Sequence, residues 1–150
     1  MTTLWAIFLG GLALVGTAEA RLGESKEQVI ERYGKPLHER VEGDWSSMLC
    51  SKNGYTFGFY ILNNKVEAIV IKKEDLTEEE VKNFLSENSA GKGFEEDGGW
   101  LLVTTKYVEA DTGRRASWAH FPGTLEIFTK VTIQTIQRGE KIFLKSALSK

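Results

Sequence analysis

Met48-Leu-Cys-Ser-Lys-Asn-Gly-Tyr-Thr-Phe-Gly-Phe-Tyr-Ile-Leu-Asn-Asn-Lys-Val-Glu-Ala-Ile-Val-Ile71 is the stretch from which the fold is read. Asn53-Gly54 and Asn63-Asn64 interrupt its apolar runs, and both pairs tolerate the positive φ that a tight hairpin needs. Treated as two-residue turns, they set Cys50 opposite Phe57 and Met48 opposite Phe59. They also set Phe57 opposite Val70, Phe59 opposite Ala68 and Ile61 opposite Val66. Side chains alternate along a strand, so this group is expected on one face, the core face. The same register sends Tyr60, Leu62, Ile69 and Ile71 to the other face. An antiparallel sheet with a wet face should be more polar there. That second face is therefore expected to be covered, either by the rest of the chain or by a partner protein.

Upstream, Ser25-Lys-Glu-Gln28 spells a capping box, with Val29, Ile30 and Tyr33 on one helical stripe and Gly34-x-Pro36 as the stop. A short helix is predicted over 26–34. Downstream, Thr77-Glu-Glu-Glu80 is a second capping box with three acids in its first turn. Val81, Phe84 and Leu85 carry the apolar stripe of this helix, which frays near Asn88. A polar, glycine-rich loop over 89–99 follows. Strands are then predicted over 100–108, 115–121 and 124–136, with turns at Asp111-Thr112-Gly113 and Pro122-Gly123. A last segment, 141–148, reads as a returning strand or a short helix.

The expected fold class is α+β: two short capped helices packed on antiparallel β-meanders. The halves repeat an order, with Ser25 and Val29 matching Thr77 and Val81 at an offset of 52 residues. Gly43-Asp44-Trp45 matches Gly98-Gly99-Trp100 at an offset of 55. A tandem repeat over 23–73 and 75–137 accounts for this, and so does chance similarity between two helix-plus-meander units.

Residues 1–20 hold an apolar run of about a dozen residues closed by Ala18-Glu19-Ala20, the pattern of a cleaved signal peptide. It is too short to span a bilayer, and no Lys or Arg precedes it. One domain is expected over 21–150, periplasmic or secreted. That part carries 19 basic and 20 acidic residues, which leaves no footprint for nucleic acid and no polybasic segment for anionic lipid. Cys50 is the single cysteine, so no internal disulfide can form. No cysteine follows the leader to take a lipid anchor.

Gly23-x-Ser25-x-x-x-Val29-x-x-x-Tyr33-Gly34-x-Pro36 resembles the opening helix motif of the SmpA/OmlA outer-membrane-assembly lipoproteins. It is also similar to the β-lactamase-inhibitor-protein-like fold, which stacks two helix-plus-sheet repeats. The resemblance implies a small exported α+β domain that works by binding other proteins. The chain departs from the first family in lacking its lipidation cysteine and from the second in lacking its disulfides. No functional residue is carried over.

Candidate chemistry is sparse. Asp111-Thr112-Gly113 spells the aspartic-protease triplet, but a protease needs two such aspartates sharing a proton, and these residues equally suit a hairpin turn. His38 and His120 have no second imidazole or thiol at metal-ligand spacing. Cys50 is expected to face the core, where a thiol is inert. The acidic run Glu95-Glu96-Asp97 lacks the alternating oxygen ligands of a calcium loop. Neither a catalytic residue nor a cofactor or metal site is therefore expected. The predicted function is an exported, non-enzymatic domain that binds another envelope or extracellular protein, as inhibitor, assembly factor or module of a complex. Tyr60, Leu62, Ile69, Ile71 and Trp118 are the candidate contact residues. The alternative is a carrier holding an apolar small molecule between sheet and helices. An unrecognised small hydrolase trails both.

Overall fold

Both capping boxes form. The Ser25 hydroxyl accepts the Gln28 amide at 3.3 Å, and the Gln28 side chain accepts the Ser25 amide at 2.8 Å. They open α1, Lys26–Tyr33, which stops at Gly34 with φ +81°. Thr77 and Glu80 make the same reciprocal pair at the start of α2, Glu78–Glu87. The computed structural model describes residues 20–98 and 104–137. The apolar leader up to residue 19, the Gly99-Trp100 pair and the 141–148 segment lie outside them.

Among the described residues there are eight strands, in the order β1 His38–Glu42, β2 Trp45–Lys52, β3 Tyr55–Leu62, β4 Lys65–Lys72, β5 Glu95–Glu96, β6 Thr104–Glu109, β7 Arg114–Ala119 and β8 Thr124–Phe128. A third helix, α3, spans Lys130–Gln137. The strands make one antiparallel sheet in the order β1-β2-β3-β4-β8-β7-β6-β5. This corrects the expected fold class. The described residues are mostly sheet, with three short helices set against it, and are not an alternation of helix-on-meander units. The physical reason is the β4–β8 ladder, from Ala68↔Phe128 to Lys72↔Thr124, which joins the strands before α2 to those after it edge to edge.

The β2–β3 register is the expected one, with Met48 opposite Phe59 and Cys50 opposite Phe57. Asn53, Asn63 and Asn64 all take positive φ. The β3–β4 ladder starts as expected, with Ile61 opposite Val66, and then shifts. Tyr60 lies opposite Ala68, so Glu67 is an extra residue in β4, a β-bulge. Beyond it Phe59 faces Ile69 and Phe57 faces Ile71, not Ala68 and Val70. A one-residue slip sends every following side chain to the opposite face. Ile69 and Ile71 therefore join the core face with Phe57, Phe59, Leu125 and Ile127, all fully buried. Each such side chain contributes about 1.5–3 kcal/mol of burial.

The helices α1 and α2 close this core face through Val29, Tyr33, Val81, Phe84 and Leu85. The Tyr33 ring lies 4.7 Å from Phe57 and 5.2 Å from Phe59, while Phe84 meets Phe57 edge-on at 6.3 Å. The expected strand over 124–136 ends at Phe128, and its remainder is α3. Thr129 turns the chain by accepting the Thr132 amide on its hydroxyl at 3.4 Å. The helix docks on the bulge: the Glu67 carbonyl accepts the Thr129 amide at 3.0 Å and the Thr132 hydroxyl at 2.9 Å.

At the other end of the described chain, Asn88 is buried just past α2. Its amide donates to the Ala20 carbonyl at 2.6 Å and the Phe84 carbonyl at 2.8 Å. Its oxygen accepts the Leu22 amide at 2.7 Å. Ala20 itself is fully buried within the core cluster.

Candidate binding surfaces

The sequence-derived contact residues do not assemble into a surface. Ile69 and Ile71 are fully buried in the core, as the bulge requires. Trp118 is in the same cluster, 8% exposed, with His120 stacked on its ring at 4.0 Å. Tyr60 lies on the opposite face, buried, with the Trp45 ring 6.5 Å away. Leu62, opposite Trp45, is half-buried. These positions are interior or at its margin, and the expectation that they form one docking face is corrected accordingly.

The residues weighed for chemistry are also accounted for. Cys50 is buried opposite Phe57, and burial pushes its thiol up from the ordinary value. His120 is exposed with its Nε2 3.0 Å from the Thr105 hydroxyl. His38 sits exposed on β1. Asp111 accepts the Lys92 amide at 3.1 Å, tying the β6–β7 turn to the loop after α2. That loop is organised by Glu109, a residue the sequence reading passed over. Glu109 is fully buried and accepts the amides of Ala90 at 3.1 Å and Gly91 at 3.0 Å, with the Ser89 and Thr112 hydroxyls. Burial alone would push its carboxyl up, but these donors outweigh that and hold it at about 2. Among the described residues, no three His, Cys, Asp or Glu side chains are placed to share a metal ion. No described helix is long and apolar enough to cross a membrane.

Two features remain open to solvent and suited to a ligand. The first is the edge strand β1, exposed at all five residues. Among the described residues its outer row of backbone amides and carbonyls has no neighbouring strand, because β1 ends the sheet there. Leu37, 69% exposed, and Val41, 65% exposed, project from the same side of this edge by strand alternation. Glu39 lies between them and is ion-paired to Lys26 of α1.

The second feature is a cavity of about 270 Å³ at the far half of the sheet. Lys106 and Tyr107 of β6, Arg115, Ala116 and Ser117 of β7, Phe128 of β8, Ile133 of α3 and Asp97 are the described residues that line it. Arg115 pairs with Phe128 and Ser117 with Lys106, so these four share the face opposite Ala116, Trp118 and Ile127. α3 is the wall over that face. Sequence reading missed this site because it placed α3 in a strand and had no β6–β7–β8 register.

No protein-family model matches the sequence, and no curated protein sequence does either. Solved structures do resemble it. A cysteine-rich secretory protein from Staphylococcus aureus subsp. aureus Mu50 matches 77% of this chain at 12% identity, with a TM-score of 0.52. An extracellular protein containing a SCP domain from Bacillus anthracis str. Ames matches 75% at 13% identity, with a TM-score of 0.46. The chain spans about half the length of these proteins, 47% and 45% respectively. At such identity the likeness to the staphylococcal protein is one of fold.

Proposed function

We propose that this chain is an exported, non-catalytic binding domain whose partner is another envelope or extracellular protein, engaged along β1. The observation that carries the reading is the edge itself: five exposed residues bounded by exposed Leu37 and, among the described residues, paired on one side only. An extended segment of a partner added there would gain a row of backbone hydrogen bonds, while Leu37 and Val41 offer apolar contacts that select its side chains.

Two further points support the reading. The staphylococcal neighbour is a secretory protein of which this chain spans 47%, which suits a domain that acts beside others. The Gly23-to-Pro36 motif resembles exported domains that bind proteins. The test is photo-crosslinking in the exporting cell from a probe at Val41, with an exposed α2 position, Lys82, as control. A discrete adduct from Val41 that is absent from Lys82 and lost in Leu37→Asp supports the reading. Equal labelling from both positions, or none from Val41, overturns it.

A further inference from the structure

Lys106 and Arg115 stand on neighbouring strands of one sheet face, and neither makes an ion pair or a side-chain hydrogen bond with a described residue. Lys106 is directly opposite Ser117, and Arg115 is two residues from Ser117 on the same strand. They are thus diagonal neighbours, about 7–8 Å apart at the backbone, which lets both flexible heads converge on one anionic group. Like charges so close repel in the absence of an anion. Among the described lining residues Asp97 is the single acid; Glu126, on the same face of β8, is engaged in an interaction of its own. Asp97 is held there through its backbone, its amide donating to the Lys106 carbonyl at 2.8 Å. The described lining residues therefore set two cations against one acid.

The lining also has an apolar part. Phe128 is the cross-strand neighbour of Arg115 on the same sheet face, and Ile133 of α3 faces into the same space. The volume equals that of about nine waters, at the small end of ligand sites. A wholly apolar guest would leave the two cations unused, and a bare inorganic anion would leave the Phe128 and Ile133 wall wet. The lining matches a molecule with one charged end and one apolar end. A guanidinium presents paired N–H donors that fit a carboxylate bidentately.

From this placement we infer that the cavity between β6, β7, β8 and α3 binds a small monocarboxylate with an apolar tail, its carboxylate on Arg115 and Lys106 and its tail against Phe128 and Ile133. The site is separate from β1, which lies at the opposite end of the sheet, so binding here is independent of the proposed protein contact.

The experiment is calorimetric titration of the full chain with octanoate, 1-octanol and inorganic phosphate, repeated on Lys106→Gln/Arg115→Gln and on Ile133→Asp. Lys106 and Arg115 are exposed, so the double variant keeps the wild-type fold, checked by its unfolding midpoint. Octanoate is expected to bind at least tenfold more tightly than octanol and phosphate, and the double variant to lose at least tenfold of that affinity while octanol is unchanged. Ile133→Asp is expected to weaken octanoate by a similar factor through repulsion and loss of the tail contact. Octanol binding as well as octanoate, wild-type affinity in the double variant, or no octanoate binding at all would each overturn the assignment.

Discussion

Glu67 and Thr129 meet where the sheet changes phase: the carbonyl of the bulged Glu67 takes the Thr129 amide at 3.0 Å, and their side chains hydrogen-bond as well. The bulge thus does two things. It turns Ile69 and Ile71 into the core, and it frees a carbonyl that would otherwise serve the β-ladder. That carbonyl also accepts the fully buried Thr132 hydroxyl. Thr132→Val keeps the shape and removes the donor, so it should cost about 1 kcal/mol. The loss is expected as a lower denaturation midpoint with an unchanged slope, and as faster amide exchange in α3.

Acid should loosen the protein through two carboxyls. Glu109 and Glu80 are both held at about 2 against an ordinary 4.5. Desolvation opposes the shift in each; for Glu80, donation from Lys73, Thr77 and Tyr55 overcomes it. A depressed folded value means the contribution is complete above about pH 4.5 and is lost as the pH falls towards 2. Urea midpoints measured from pH 7 to pH 2.5 should therefore fall most steeply below pH 4.5. Glu109→Gln should be less stable at neutral pH and show a shallower acid limb. Glu109→Ala strands buried donors and should cost about 3 kcal/mol at pH 7.

Asn88→Ala removes the two hydrogen bonds that tie the Ala20–Leu22 strap to the end of α2, and the one that anchors the Asn88 side chain on the Phe84 carbonyl. The cost is about 2 kcal/mol, and the effect should be local as well as global. Hydrogen exchange at the Leu22 amide is expected to be faster in the variant than in the parent. An unchanged Leu22 rate would show that the strap is held by its apolar contacts alone.

Cys50 should be silent to thiol reagents in the folded protein. It is fully buried opposite Phe57, and burial raises its thiol, which lowers the thiolate fraction further. Labelling by a chromogenic disulfide is expected to track unfolding across a denaturant series. Prompt stoichiometric labelling without denaturant would contradict the packing described.

Local chemistry was legible in the sequence, and long-range pairing was not. Both helix starts follow from Ser25/Gln28 and Thr77/Glu80, and the two Asn-rich corners follow from their tolerance of positive φ. Each depends only on residues within a turn of one another. The bulge leaves no such trace, because Glu67 is an ordinary strand residue and a slip of one only exchanges Ala68 and Val70 for Ile69 and Ile71, both apolar sets. That exchange misplaced two of the five candidate contact residues. β1 carries no apolar alternation to reveal it, since every position is exposed. In α3 the β-branched run Val131-Thr-Ile-Gln-Thr-Ile136 favours strand by propensity. Its one helical signal was Thr129, a hydroxyl residue three positions before Thr132 and able to cap it. The cavity could not be read at all, because Lys106, Arg115 and Phe128 come together only through the β6–β7–β8 pairing.

The β4–β8 seam has a kinetic consequence. Its partners lie 52 to 60 residues apart, whereas every other ladder closes between neighbours in the chain. Local hairpins can zip quickly, but this closure must gather the whole α2-to-β7 segment first. Until it does, β4 presents Ile69, Val70 and Ile71 along a bare edge. At high concentration a β8 from another molecule can satisfy that edge equally well, so slow refolding and exchanged dimers should grow together as protein concentration rises.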